Sequence, residues 1–94
     1  MVYEEETVDE IKISPNPISS FAQISWEQKM AGQLNVEIQN AYGQTVLGVI
    51  QNQWMEAGQQ TLQFHSTDLP KGLYYLVFNS GKKPITKSMI VINE

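Results

Sequence analysis

Leu34-Asn35-Val36-Glu37-Ile38-Gln39 sets an aliphatic side chain at every second position with a polar one between. A strand turns successive side chains to opposite faces, so this stretch predicts a β-strand with one buried and one solvated face. Directly after it, Asn40-Ala41-Tyr42-Gly43-Gln44 places a glycine where a tight reversal needs positive φ. Thr45-Val46-Leu47-Gly48-Val49-Ile50 is then β-branched enough to return as the paired strand. The unit is an antiparallel hairpin, and its period of two recurs on both sides. Upstream, Phe21-Ala22-Gln23-Ile24-Ser25-Trp26 puts Ala22, Ile24 and Trp26 on one face, which places Trp26 in the core. Before that, Ile11-Lys12-Ile13-Ser14 alternates briefly until Pro15-Asn16-Pro17 removes backbone donors and imposes a bend. Downstream, residues 60–64 alternate again, residues 73–78 are rich in aromatic and β-branched side chains, and residues 87–92 form a last strand. Residues 51–57 are ambiguous: Trp54 and Met55 fit a loop or a short helical turn that Gly58 ends.

The count is about seven short strands with turn signals roughly every 8–12 residues and no amphipathic helix. That pattern predicts an all-β fold, an immunoglobulin-like antiparallel β-sandwich, with a small barrel as the rival. At 94 residues, 41% hydrophobic and 17% charged, the chain makes one domain and buries a core of its own. Its formal charge of -4 is unevenly placed, because five of the ten acids (Glu4, Glu5, Glu6, Asp9, Glu10) lie in the first ten residues. Residues 1–10 are therefore read as an acidic flexible linker and residues 11–94 as the folded domain. From Ile11 onward six lysines face five acids, which leaves no basic stripe for nucleic acid. The longest apolar run, residues 73–78, is far short of the roughly 20 residues a spanning helix needs, so no membrane insertion is expected. The opening Met1-Val2-Tyr3-Glu4 lacks the basic start and apolar stretch of a signal peptide and is compatible with an expressed fragment of something longer.

Cysteine is absent, which excludes a disulfide scaffold, thiolate metal sites and a cysteine nucleophile. The one histidine, His65, stands beside Ser66 and Asp68, but residues this close on an extended segment diverge, and a triad needs them to converge. Glu27 and Glu37 fall at polar positions of alternating strands, where solvated faces are the better reading than a glycosidase pair. No metal-loop or phosphate-loop spacing occurs, so neither metal nor cofactor is expected. Among aromatics, Trp54, Tyr42 and Tyr75 are candidates for a platform that stacks sugar rings. Tyr74 and Tyr75 differ in parity, so one faces inward, and a buried tyrosine just after a turn can bond its hydroxyl back to the chain as a tyrosine corner.

Pro15-Asn16-Pro17 before a strand, Asn40-Ala41-Tyr42-Gly43-Gln44 between two strands, Leu69-Pro70-Lys71-Gly72-Leu73-Tyr74-Tyr75-Leu76, and the terminal Lys87-Ser88-Met89-Ile90-Val91-Ile92 together resemble the C-terminal type A sorting domain of the type IX secretion system. The resemblance covers residues 11–93 and rests on the order and spacing of motifs that are individually weak. It implies a seven-stranded immunoglobulin-like domain at the C-terminus of proteins exported through the periplasm of Gram-negative bacteria. Such a domain is an address and not an enzyme. The secretion machinery reads it, an N-terminal cargo crosses the outer membrane to the cell surface, and a sortase-like surface peptidase cuts before it. The motif positions implied here are Pro15, Asn16, Pro17, Gly43, Leu69, Gly72, Tyr74 and Lys87, none of them catalytic. The chain departs from the pattern at Asn40-Ala41, which leaves the hairpin to Gly43, and at Asn93-Glu94.

From the residues themselves, Pro15 and Pro17 are expected to stop the first strand so that the chain crosses between sheets, and Gly72 to take a left-handed conformation before the sixth. The expected contact surface is the end formed by the last two strands with Lys82, Lys83 and Lys87, lysines that also protect a sheet edge. The alternative is a carbohydrate-binding or adhesive sandwich appended to a secreted hydrolase, which would use Trp54 and Tyr75.

Overall fold

The computed structural model describes residues 7–93. Seven strands follow one another: β1 (Val8–Ser14), β2 (Phe21–Gln28), β3 (Gly32–Asn40), β4 (Thr45–Met55), β5 (Gly58–His65), β6 (Gly72–Asn79) and β7 (Ile85–Val91). They form two antiparallel sheets, a three-stranded one in the order β1-β2-β5 and a four-stranded one in the order β4-β3-β6-β7. This is the expected immunoglobulin-like sandwich.

Period-two alternation builds the core, because each sheet turns one side inward. Ala22, Ile24 and Trp26 of β2 meet Leu34, Val36 and Ile38 of β3 and Tyr74, Leu76 and Phe78 of β6, all of them buried. Trp26 packs edge-on against Phe78, ring centroids 5.3 Å apart, a preferred geometry for two aromatic quadrupoles. Its indole N–H donates to Gln28 Oε1 at 2.9 Å, and Gln28 Nε2 donates to the Met30 carbonyl at 3.0 Å. A fully buried glutamine thus keeps its polar atoms satisfied.

Two boundaries differ from the sequence reading, and bulges cause both. β1 begins at Val8, within the stretch assigned to the acidic linker; residues 1–6 of that linker lie outside the described residues. Asp9 pairs with Glu27 but Lys12 pairs with Ser25, so β1 carries one extra residue, and Glu10 absorbs it with a φ of 53°. That bulge lets Val8 turn inward despite its opposite parity to Ile11 and Ile13, which hides it from a search for strict alternation. In β4, register shifts against β3 at three places break the pattern in the same way. Residues 51–55 continue the strand rather than forming a helical turn, with Asn52 at a φ of 49° and its N–H donating to Asn35 Oδ1 at 2.8 Å.

Candidate functional site

Strand directions give the sandwich two poles. One gathers the bend at residues 15–20, the β3–β4 turn, the β5–β6 loop and the end of β7; the other gathers Val8, the β2–β3 and β4–β5 turns and the β6–β7 turn. Seven of the eight motif positions (Pro15, Asn16, Pro17, Gly43, Leu69, Gly72 and Tyr74) fall at the first pole.

Pro15-Asn16-Pro17 acts there as the sheet crossing that its prolines predict. After it, buried Ile18 leaves the β1-β2 sheet and bonds the other: its N–H donates to the Ile90 carbonyl at 2.8 Å, and the Ile92 N–H donates to the Ile18 carbonyl at 2.7 Å. Asn16 Oδ1 accepts the Ile90 N–H at 3.1 Å, standing in for a strand carbonyl. Both prolines follow cis peptide bonds.

At the β5–β6 loop, buried Tyr74 donates its hydroxyl to the Pro70 carbonyl at 2.5 Å, the tyrosine corner expected from its parity. Leu69 is buried beneath the loop. Gly72 has a φ of 155°, positive as expected but more extended than a left-handed turn, and a Cβ there would meet nothing within 4 Å. Backbone conformation, not space, is what favours glycine.

Two residues carry weight at this pole that periodicity does not disclose. Asn93 donates from Nδ2 to the carbonyls of Ser66 and Leu69 (2.8 Å to Leu69), while its Oδ1 accepts the Ser66 hydroxyl at 3.0 Å. A position that departs from the family pattern thus closes the loop that carries Leu69. Nothing in the spacing signals it, since asparagine is a common terminal residue and its partners lie more than 20 positions away. Asn40 is the second. Gly43, whose φ is 82°, does not hold the hairpin alone: Asn40 Oδ1 accepts the N–H groups of Tyr42 (2.9 Å) and Gln44 (3.1 Å), so the turn is fixed by side chain as well as glycine.

The remaining candidates are dispersed. Lys87 lies opposite Leu76, four residues or about 13 Å along β7 from Val91, and Lys82 and Lys83 occupy the β6–β7 turn at the far pole. The structure therefore does not join these lysines to the motif residues. Trp54 pairs with Gln33 and Tyr75 with Gln39, which separates them by about 20 Å along β3, so they make no common platform. Trp54 is half exposed, and its indole N–H donates to Glu56 Oε1 at 3.2 Å. Glu27 and Glu37 belong to different sheets, and Glu37 Oε1 accepts Gln39 Nε2 at 3.2 Å. His65 is exposed at the end of β5, whereas Ser66 is buried with its hydroxyl turned to Asn93. These two do not face one another across a site.

Exposed apolar side chains have their own distribution. Of the eight large ones among the described residues, Phe21, Tyr42, Val46, Leu73, Ile90 and Ile92 lie at or beside the motif pole, and only Met30 and Trp54 lie elsewhere. Leu73 and Ile90 are direct cross-strand partners on the outer face of the four-stranded sheet. Apolar surface concentrated in one region marks contact with another molecule more than scattered residues do.

No curated protein and no solved structure matches the chain. The family described as the secretion system C-terminal sorting domain does match, over residues 12–93. With that extent of agreement, and with the sandwich in place, the chain belongs to the C-terminal sorting domains of type IX secretion.

Proposed function

We propose that this chain is a non-catalytic address that takes an N-terminal cargo across the outer membrane to the cell surface, and that the machinery reads it at the motif pole. One observation carries the reading: seven motif positions and six exposed apolar side chains share one end of the sandwich. Hydrogen bonds made by Asn93 and Tyr74 as donors and by Asn16 as acceptor hold that end in one shape. A signal read by another protein needs a fixed shape and an apolar contact, and this pole combines them. β1 begins at Val8, at the opposite pole, so the chain enters the sandwich on the side away from the reader. A sortase-like peptidase then cuts before β1 without competing for the motif pole.

The test is a reporter with an N-terminal export signal and this chain at its C-terminus, expressed in cells with and without the secretion machinery. Surface delivery is expected only with the machinery, and Leu73→Glu combined with Ile90→Glu should abolish it while circular dichroism and thermal unfolding remain those of the folded domain. Undiminished delivery by that double variant, or by a chain lacking residues 72–94, would overturn the proposal.

A further inference from the structure

The free edge of β7 is half occupied. The Ile90 N–H and carbonyl both point away from β6, toward Asn16 and Ile18, and the alternation of an antiparallel ladder then turns Ser88 and Thr86 to the same side. Among the described residues, Ile18 and Asn16 bond this edge at Ile90 and Ile92, and nothing bonds it at Ser88 or Thr86, which are exposed. Facing that open half, the bulge at Glu10 carries β1 away and leaves a groove of about 290 Å³ lined by Val8, Asp9, Glu10, Ile11, Ile85, Thr86 and Lys87. Ile11 and Ile85 pack against the core from its floor. The groove therefore offers backbone donors and acceptors along one wall and Ile11 and Ile85 at its base, with the charged Asp9, Glu10 and Lys87 among its lining.

From this geometry we infer that the Thr86–Ser88 edge is a strand-addition site, taking one extended segment of a partner protein whose alternate side chains are apolar and turn toward Ile11 and Ile85. Ile18 shows what the edge accepts, since it already binds the neighbouring positions through its own backbone, parallel to β7. Main-chain bonds supply affinity in such additions, and alternate pockets supply selectivity. A second copy of this chain is the poorer occupant: antiparallel pairing of two such edges about their centre sets Lys87 beside Lys87. The inference rests on the address reading only for who the partner is, since binding is measured on the isolated chain.

The probe is a panel of nine-residue peptides with Val, Ile or Phe at odd positions and Thr, Lys or Glu at even ones, titrated into isotope-labelled chain and followed by amide NMR. Saturable shifts and slowed hydrogen exchange are expected at Thr86 and Ser88. Methylating alternate peptide nitrogens should weaken binding about tenfold or more, because the bonds are to backbone. Ser88→Pro should do the same without disturbing the β6 ladder, because the lost N–H points off the sheet. The inference is overturned if no member of the panel shifts these amides at millimolar concentration, if N-methylation leaves affinity unchanged, if a folded Ser88→Pro variant binds normally, or if the edge is occupied by a concentration-dependent dimer. A loss of export with intact peptide binding would count against the address reading alone.

Discussion

Removing the Asn93 side chain should loosen the motif pole. Asn93 makes three hydrogen bonds, two as donor to the Ser66 and Leu69 carbonyls and one as acceptor from the Ser66 hydroxyl, and Ser66 is fully buried. At about 0.5–1.5 kcal/mol net for each, discounted because Asn93 is half-buried and water can replace part of the loss, Asn93→Ala should cost about 2–3 kcal/mol. Against the roughly 5–10 kcal/mol of a domain this size, that is a large fraction. Asn93→Asp should cost more, because it keeps the acceptor for Ser66 but sets a carboxylate against two carbonyl oxygens. Ser66→Ala should cost only about 1 kcal/mol, since both donor bonds survive. Urea unfolding followed by tryptophan fluorescence reads the order directly, with a midpoint shift of about 2–3 M for Asn93→Ala at a slope near 1 kcal/mol per molar. An Asn93→Asp variant as stable as Asn93→Ala, or a loss below about 0.5 kcal/mol for Asn93→Ala, would refute the latch.

Further perturbations probe the rest of the fold. Trp26→Ala empties a buried aromatic site and strands Gln28 Oε1, so chemical denaturation should register about 3–5 kcal/mol; a loss under about 1 kcal/mol would remove Trp26 from the core. Tyr74→Phe deletes the bond to the Pro70 carbonyl and should lower stability by about 1–1.5 kcal/mol with the fold unchanged by circular dichroism, an outcome that an unaltered unfolding midpoint would contradict. Gly72→Ala meets no neighbour but must hold a φ of 155°, so thermal unfolding should reveal about 1–3 kcal/mol of strain, and a neutral result would mean the turn relaxes freely.

Regular alternation makes much of this molecule readable from its residues. Leu34, Val36 and Ile38, or Ala22, Ile24 and Trp26, announce both a strand and its buried face, because a period of two fits the pleat of a strand and not the turn of a helix. Val8 stays hidden for the complementary reason, since one extra residue at Glu10 reverses parity and an inward valine then looks like part of a charged tail. Residues 51–55 are obscured by the shift between Ile50 and Gln53 and by the positive φ of Asn52. Proline and tyrosine at the pole are legible because each imposes a local constraint, a bend or a hydroxyl needing a partner. The bonds of Asn16, Asn40 and Asn93 are not, because an asparagine side chain declares nothing until the fold delivers a carbonyl or amide to it, although Asn16 stands at a motif position. The lysines mislead in another way: Lys82 and Lys83 neighbour Lys87 in sequence, but the β6–β7 turn carries them to the far end.

The latch also ties together distant stretches of the chain. Ile92 and Asn93 are the last described residues, and the pole closes only when the Ile92 amide reaches Ile18 and the Asn93 amide reaches the β5–β6 loop. A chain cut before Ile92 lacks both fasteners, which leaves the Ile18 and Leu69 carbonyls without these donors. Residues 16–18 and 90–93, more than 70 positions apart, thus hold one another, and the loop that carries Leu69 hangs on the same contact.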